Sequence, residues 1–403
     1  MTRQFTPPKP DQRNTILDDI RNKKMARSAH AYVRGNTIKF YEWLDSSTAF
    51  DLPQGPPIWI CGDCHLGNLG PISDALGNIE IQIRDLDQTV IGNPAHDLVR
   101  LGLSLATAAR GSDLPGIITV TMLEQIVEGY ESAFKNDAND AEKPSLYPSS
   151  IRLMMKESSR RSWKHLARER LENTDPQIPL GKRFWPLSKN ERKEIFKTFE
   201  VNALCRLATS IKHREDNAPV KVLDAAYWVK GCSSLGRLRY AVLLDVGNNT
   251  SDGNDLCLID IKEAVKADAP RSPNIRMPTE SGKRILEGAK YLSPFLGERM
   301  AATEMFSKSF FLRELLPQDL KLEIEQLTPG EAMKVAKYLA LVVGRAHARQ
   351  MDAATKKEWL NQLKRSRSST LNAPSWLWKS IVELLTIHEA AYLEHCRKYA
   401  DLL

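Results

Sequence analysis

The chain has 403 residues, enough for two or three packed units with their own cores. Charged residues make up 27% and hydrophobic ones 42%, an ordinary globular mix, and the absence of any apolar run of about eighteen residues excludes a membrane-spanning helix. The net charge of +7 favours anionic partners, whether nucleotide, phosphorylated substrate or nucleic acid, without choosing among them.

In chain order, the opening MTRQFTPPKPDQRN is charged and proline-bearing with no apolar h-region, so a cytoplasmic protein is expected. Helix follows to about residue 50. PPIWI (56–60) predicts a short buried strand, and NIEIQIRDLD (78–87) alternates apolar and polar residues as a strand does. Asn93-Pro94 marks a turn, HDLVRLGLSLATAA opens a helix, and another covers 114–136. Polar residues 137–150 read as a surface connection. IRLMMKESSRRSWKHLARERLEN predicts one basic helix, either a solvated face or a surface for an anionic substrate or polynucleotide. Beyond residue 218, VKVLDAAYWVKGCSSLGRLRYAVLLDV and DLCLIDIKEA predict three strands with a glycine-bearing turn between the first two. A helix over 279–293, a strand at SFFLRELL and helices at 329–351, 355–366 and 375–400 complete the pattern. The expected organisation is a helical unit (1–217), a β-rich unit (218–325) and C-terminal helices (326–403) that complete the helical unit.

The stretch CGDCHLGN (61–68) allows two chemistries. Cys61-x-x-Cys64-His65 has the spacing of covalent haem attachment, but that reaction takes place outside the bacterial cytoplasm. No second Cys/His pair has ligand spacing for zinc, so the six cysteines are expected as reduced thiols. The other chemistry is phosphoryl transfer. Asp63, on a turn after a buried strand, can take the proton of a substrate hydroxyl, and Asn68 can return to the same cleft to coordinate Mg²⁺. The next strand ends in Asp85-Leu86-Asp87, which offers a second oxygen ligand at Asp85 or simply a turn. Asp97, at the start of a helix, is expected as a cap or dipole partner that could brace the loop.

GDCHLGN, IRDLD and GNPAHDL together resemble the C-lobe signature of aminoglycoside and choline phosphotransferases, with Cys61 and Asn93 standing where those enzymes have His and Asp. The resemblance implies Asp63 as catalytic base, Asn68 and Asp85 as metal ligands, and supporting roles for His65, Asp87 and Asp97. Such an enzyme also needs a glycine hairpin over the phosphates and a lysine on the following strand. VKGCSSLGRLRYAVLL offers Gly231, Ser233, Ser234 and Gly236, and LIDIKEA carries Lys262. Lys262 is expected to orient the α/β-phosphates and to pair with Glu287 on the next helix.

The order is inverted relative to an ordinary kinase, and a circular permutation reconciles it. LALVVGRAHARQMD (340–352) resembles the helix that leads into the catalytic loop of those enzymes. YVRG (32–35), GDCHLGNLG, RDLDQ, GCSSLG and IKEA are also similar to a widespread bacterial family of unknown function placed in the kinase-like superfamily. That similarity points to Arg34 as a contact for acceptor or phosphate. The resemblances imply an α+β, protein-kinase-like, two-lobe fold in permuted order, with a helix-rich lobe and a small antiparallel β unit. The function they imply is an ATP- and Mg²⁺-dependent phosphotransferase acting on an unidentified hydroxyl, small molecule or protein. The alternatives are a nucleotide-binding pseudokinase and a basic nucleic-acid-associated protein.

Overall fold

Apolar residues at helical spacing make the helix Ala95–Arg110 (α4) buried on nearly all sides, so it must lie at the centre of a helical body. Before it in the chain come Arg13–Ala26 (α1), Ala29–Gly35 (α2) and Thr37–Leu44 (α3), then the strands Ile58–Ile60 (β1), Leu69–Ser73 (β2), Ile79–Ile83 (β3) and Val90–Gly92 (β4). After it come Gly116–Ser132 (α5), Ser149–Ser159 (α6), Trp163–Leu171 (α7), Phe184–Trp185 (β5) and Lys189–Thr198 (α8). The β-rich part contains Val220–Trp228 (β6), Arg239–Val246 (β7), Leu256–Glu263 (β8), Ser281–Leu292 (α9), Pro294–Gly297 (α10), Met300–Met305 (β9) and Lys308–Leu315 (β10). Pro329–Ala348 (α11), Ala353–Lys364 (α12) and Ser375–Lys398 (α13) close the chain's order. The computed structural model describes residues 6–46, 52–111, 114–135, 147–171, 177–200, 204, 207, 214, 218–232, 234–247, 256–320, 328–364 and 374–399. The fold is thus α+β with antiparallel sheets.

Six strands form one sheet in the order β5-β6-β7-β8-β10-β9, and each neighbouring pair is antiparallel. Successive side chains of a strand point to opposite faces. Tyr240, Val242, Ile259, Ile261, Phe310 and Leu312 therefore share one face, packed with Leu17 of α1 and Ile195 of α8. The other face carries Arg239 of β7, Asp260 and Lys262 of β8 and Arg313 of β10, and it looks toward the helical body. The two small sheets, β1 with β4 and β2 with β3, belong to that body and carry the loops that meet this charged face.

The body depends on a close crossing of α5 and α11. A Cβ on Gly129 would lie 2.0 Å from the carbonyl oxygen of Lys337, and one on Gly344 would lie 2.7 Å from the carbonyl oxygen of Tyr130. Backbone rather than side chain limits the approach of these helices.

Several elements differ from the sequence expectation. The basic segment forms two helices, because its turn is tied to the connection after β10: Ser158 Oγ donates to Gln318 O at 2.6 Å and Arg161 Nε to Pro317 O at 2.7 Å. β2 and β9 were not expected, since Gly70-Pro71 and the alanines of MAATEM carry little strand signal. The sheet also takes its edge strand, β5, from before residue 218, paired through Phe184 to Trp228. Much of the expected connection 137–150 lies outside the described residues. No described helix is long and apolar enough to cross a membrane.

Gly129→Ala is expected to lower stability by about 1–3 kcal/mol through backbone displacement, read as a lower urea midpoint.

Candidate functional site

β1 ends at Ile60, which is fully buried, and the chain turns at once into the loop 61–68. Gly62 makes that turn with φ of +77°, and a Cβ there would lie 2.3 Å from the carbonyl oxygen of Gln88. Asp97, in the first turn of α4, holds the turn from behind. Its Oδ2 accepts from Cys61 N at 2.8 Å and its Oδ1 from Gly62 N at 2.9 Å. Tyr41 donates its hydroxyl to Gly62 O at 2.7 Å, so the turn is gripped on both sides.

Asp97 is itself the end of a buried chain of donors. A carboxylate only accepts, so His347 Nε2, 3.1 Å away, carries the hydrogen between them. His347 Nδ1 then accepts from the Tyr130 hydroxyl at 2.9 Å, and Tyr130 accepts from Trp359 Nε1 at 3.1 Å. Helices α12, α5, α11 and α4 thus each contribute one side chain to the placement of two loop amides. Beside this chain, Gln350 imitates a strand neighbour: its Oε1 accepts from Trp59 N at 2.9 Å and its Nε2 donates to Trp59 O at 3.0 Å.

The loop so held aims Asp63 into a cleft between the body and the sheet. Asp63 Oδ1 accepts from Nε of fully buried Arg100 at 2.9 Å, and Oδ2 accepts from Thr37 Oγ1 at 3.2 Å. His65 lies beside it, Nε2 4.0 Å from Oδ2, and burial pushes its pKa down to about 3 despite the pull of Asp63, leaving a neutral imidazole. Asn68 commits its Nδ2 to Asp85 O at 2.7 Å and Asp63 O at 3.2 Å, which leaves Oδ1 as the atom able to meet a cation.

β3 leads to Asp85, half of whose side chain is open to the cleft, and to Asp87. Lys262 of β8 reaches both: its Nζ is 3.5 Å from Asp85 Oδ2 and makes a closer ion pair with Asp87. Surrounding protein raises the Asp85 pKa, but Lys262, with Arg313 and Arg239, more than reverses this and holds the carboxyl well below the usual range. Burial and the neighbouring Asp85 charge push Asp87 up. Behind Lys262, Asp260 accepts from Arg239 Nε at 2.8 Å and from Arg313 Nη2 at 3.2 Å, so much of the roof's charge is balanced internally.

The glycine hairpin between β6 and β7 borders the same cleft. Gly231 and Gly236 have φ of +99° and +98°. Lys24 Nζ of α1 donates to Gly231 O at 2.9 Å, and Ser234 lines the cleft with Arg34, whose guanidinium lies over Gly67. Ser233 lies outside the described residues. The cleft measures about 820 Å³, within the range of roughly 300–1,000 Å³ typical of small-ligand sites.

One expectation is corrected. Glu287 does not pair with Lys262; it stands on the solvent side of α9 and accepts from Lys290 Nζ at 3.0 Å. The buried side of α9 carries Arg284, which donates to the carbonyl oxygens of Thr89, Asp87 and Val265. Lys262 finds its carboxylates in the loop after β3 instead. Gln88 ties that loop to the strand-following segment, with Oε1 accepting from Asp268 N at 2.7 Å.

Among the described residues, no group of three or more His, Cys, Asp or Glu side chains could hold a metal ion, and Cys61 and Cys64 are free and buried. The hydrogen bond with Cys64 and burial push the Cys61 thiol well up; the same bond lowers Cys64, but burial and the charges of Asp97 and Asp63 outweigh it and leave that thiol raised too. The donors offered to a cation are oxygens, Asn68 Oδ1 and Asp85, and this set suits Mg²⁺, which is commonly bound by one or two carboxylates together with substrate phosphates.

A family model described as an uncharacterized protein conserved in bacteria (DUF2252) matches residues 14–398. The chain belongs to that bacterial family. No curated protein and no solved structure matches it.

In this DUF2252 chain, sequence reasoning missed Arg100, Thr37, Tyr130, His347, Gln350 and Arg284. Two of them had a visible signal: Arg100 interrupts the apolar run of α4, and His347 follows the apolar run of α11 and is itself buried.

Asp97→Ala leaves two buried amides and His347 without their acceptor and is expected to cost about 3–5 kcal/mol, read by urea unfolding. Glu287→Gln, in contrast, is expected to stay within about 0.5 kcal/mol of the parent. Burial lowers His65 to about 3 and His96 and His388 to about 4, so the unfolded chain binds more protons below its ordinary histidine pKa of 6.5. Stability is therefore expected to fall as pH drops from about 6.5 toward 4, and His388→Gln is expected to flatten that slope in urea midpoints measured against pH.

Proposed function

We propose that the chain is an ATP- and Mg²⁺-dependent phosphotransferase with a protein-kinase-like fold in circularly permuted order. One observation carries the reading. Asp63, Asn68 and Asp85 converge in a single cleft with a glycine hairpin and a buried lysine that follow them by well over a hundred residues. The permutation is supported by the Gln350–Trp59 pairing, which seats the end of α11 against the strand entering the loop.

In this reading Asp63 receives the acceptor's hydroxyl proton, oriented by Arg100 and Thr37 so that one carboxylate edge faces the cleft. Asn68 and Asp85 would hold Mg²⁺, which neutralises charge on the phosphates. Lys262 and the hairpin position the phosphate chain, and the Asp97 brace keeps Asp63 at fixed distance from it. A second reading, nucleotide binding without turnover, is favoured by two features: Arg100 occupies one oxygen of Asp63, and among the described residues Lys262 pairs with Asp85 and Asp87 rather than with a helix-borne glutamate.

Mg·ATP is expected to raise the melting temperature of the wild type, and Asp85→Ala to abolish that shift. Wild type is expected to consume ATP, with Asp63→Asn slower by about 10²–10⁴-fold. Absence of any binding at millimolar nucleotide would refute the proposal; binding without consumption would select the second reading.

A further inference from the structure

A nucleotide has two ends, a phosphate chain and a flat base, and the roof of the cleft treats them differently. Alternation along β8 puts Lys262, Asp260 and Leu258 on the same face of the sheet. Lys262 meets Asp85 and Asp87 across the cleft. At Leu258 the face turns apolar, and Ala226, Trp228, Ala241, Leu243, Leu258 and Leu315 belong to one buried cluster. A base stacks on a surface of this kind, because every base has an apolar π-face.

That surface is already covered. Leu166 and Leu171 of α7 and the nearby Ile178 pack onto it and are themselves buried. The cover is fastened to the connection that leaves β10. Ser158 Oγ donates to Gln318 O at 2.6 Å, Arg161 Nε to Pro317 O at 2.7 Å, and Gln318 Nε2 returns a bond to Arg161 O at 3.3 Å. The polar groups of this connection are thus engaged by the cover rather than offered to the edge of a base.

Between the covered patch and Lys262 lies a layer of paired charge. Asp260 is 1% exposed and accepts from Arg239 Nε at 2.8 Å and from Arg313 Nη2 at 3.2 Å. Lys230 Nζ stands 3.9 Å from Asp260 Oδ2 and 3.9 Å from the centre of the Trp228 ring. A cation therefore caps the indole face that a base would need. Parting this layer to admit a base leaves a buried charge without its partner, which is strongly unfavourable. Near Lys262 the space is lined instead by Ser234, Lys230 and Arg313, groups suited to phosphate oxygens. Among the described residues that line the cleft there is no tryptophan, tyrosine or phenylalanine.

We infer that the donor is read by its phosphate chain and not by its base, so that the cleft takes triphosphates as a class: purine nucleotides, pyrimidine nucleotides and inorganic tripolyphosphate alike. The inference rests on the Mg²⁺-triphosphate reading of Asp85 and Lys262. With any of these donors the acceptor oxygen forms a bond to the terminal phosphorus and the bond from that phosphorus to its bridging oxygen breaks. The departing diphosphate, or pyrophosphate from tripolyphosphate, keeps the electron pair, and the hydroxyl proton passes to Asp63.

The test is calorimetric titration of the full chain, in Mg²⁺, with ATP, GTP, CTP, tripolyphosphate and adenosine. A stacked base adds roughly tenfold or more to affinity. The triphosphates are therefore expected to bind within about tenfold of one another, tripolyphosphate to displace ATP, and adenosine not to bind. Asp85→Ala is expected to lose tripolyphosphate binding together with ATP binding; displacement in the wild type places both at one site without a variant. A preference for ATP over GTP, CTP or tripolyphosphate of more than about tenfold, binding of adenosine, or undiminished tripolyphosphate binding in Asp85→Ala overturns the inference and leaves the phosphotransferase proposal standing wherever ATP is consumed. Similar binding of all the triphosphates without consumption of ATP supports the inference and refutes turnover alone. Absence of binding by every triphosphate overturns both.

Discussion

The buried carboxylate of Asp97 is the constraint on which the site rests. It accepts both amides at the turn after β1, and that turn decides where Asp63 and Asn68 point. A loop carrying a left-handed glycine and two buried thiols has few interactions of its own to keep one shape. Its geometry is imposed by α4, and α4 is in turn oriented through His347, Tyr130 and Trp359. The close α5–α11 crossing matters for this reason, because it brings Tyr130 and His347 within hydrogen-bonding distance.

The sheet contributes by a simpler rule. Period-two alternation puts Lys262 and Asp260 on one face of β8 and Ile259 and Ile261 on the other, so one strand serves both the core and the cleft. Antiparallel register then sets Arg239 opposite Lys262 and Arg313 opposite Asp260. The charged roof follows from strand pairing; Lys262 reaches across to the acidic loop of the body, and Arg313 Nη1 donates to Arg84 O just before it at 2.7 Å.

Much of this was legible in the sequence where the signal was local. GDCHLGN and RDLD are contiguous stretches, and Lys262 within an apolar strand stood out because a buried lysine needs a partner. The identity of the partner was not local. In α9 the 3.6-residue period buries Ile285, Ala289 and Leu292 and turns Glu287 toward solvent with Lys283 and Lys290. The division of the basic segment into α6 and α7 was likewise invisible, since the bonds that break it come from residues 317 and 318. Arg100 could be seen within an apolar run and His347 just after one, but their partners lie 37 and 250 residues away.

The pairing of Gln350 with Trp59 joins positions 291 residues apart, and the Asp97–His347 bond spans 250. Both partners in the first half of the chain are synthesised long before α11 leaves the ribosome. The nascent chain therefore holds the GDCHLGN loop through Tyr41 and Asp97 while the residues that orient Asp97 from α11 are still to be made. Final assembly of the cleft is a late event of biosynthesis, reached only when the C-terminal helices dock and long-range contacts of high sequence separation close.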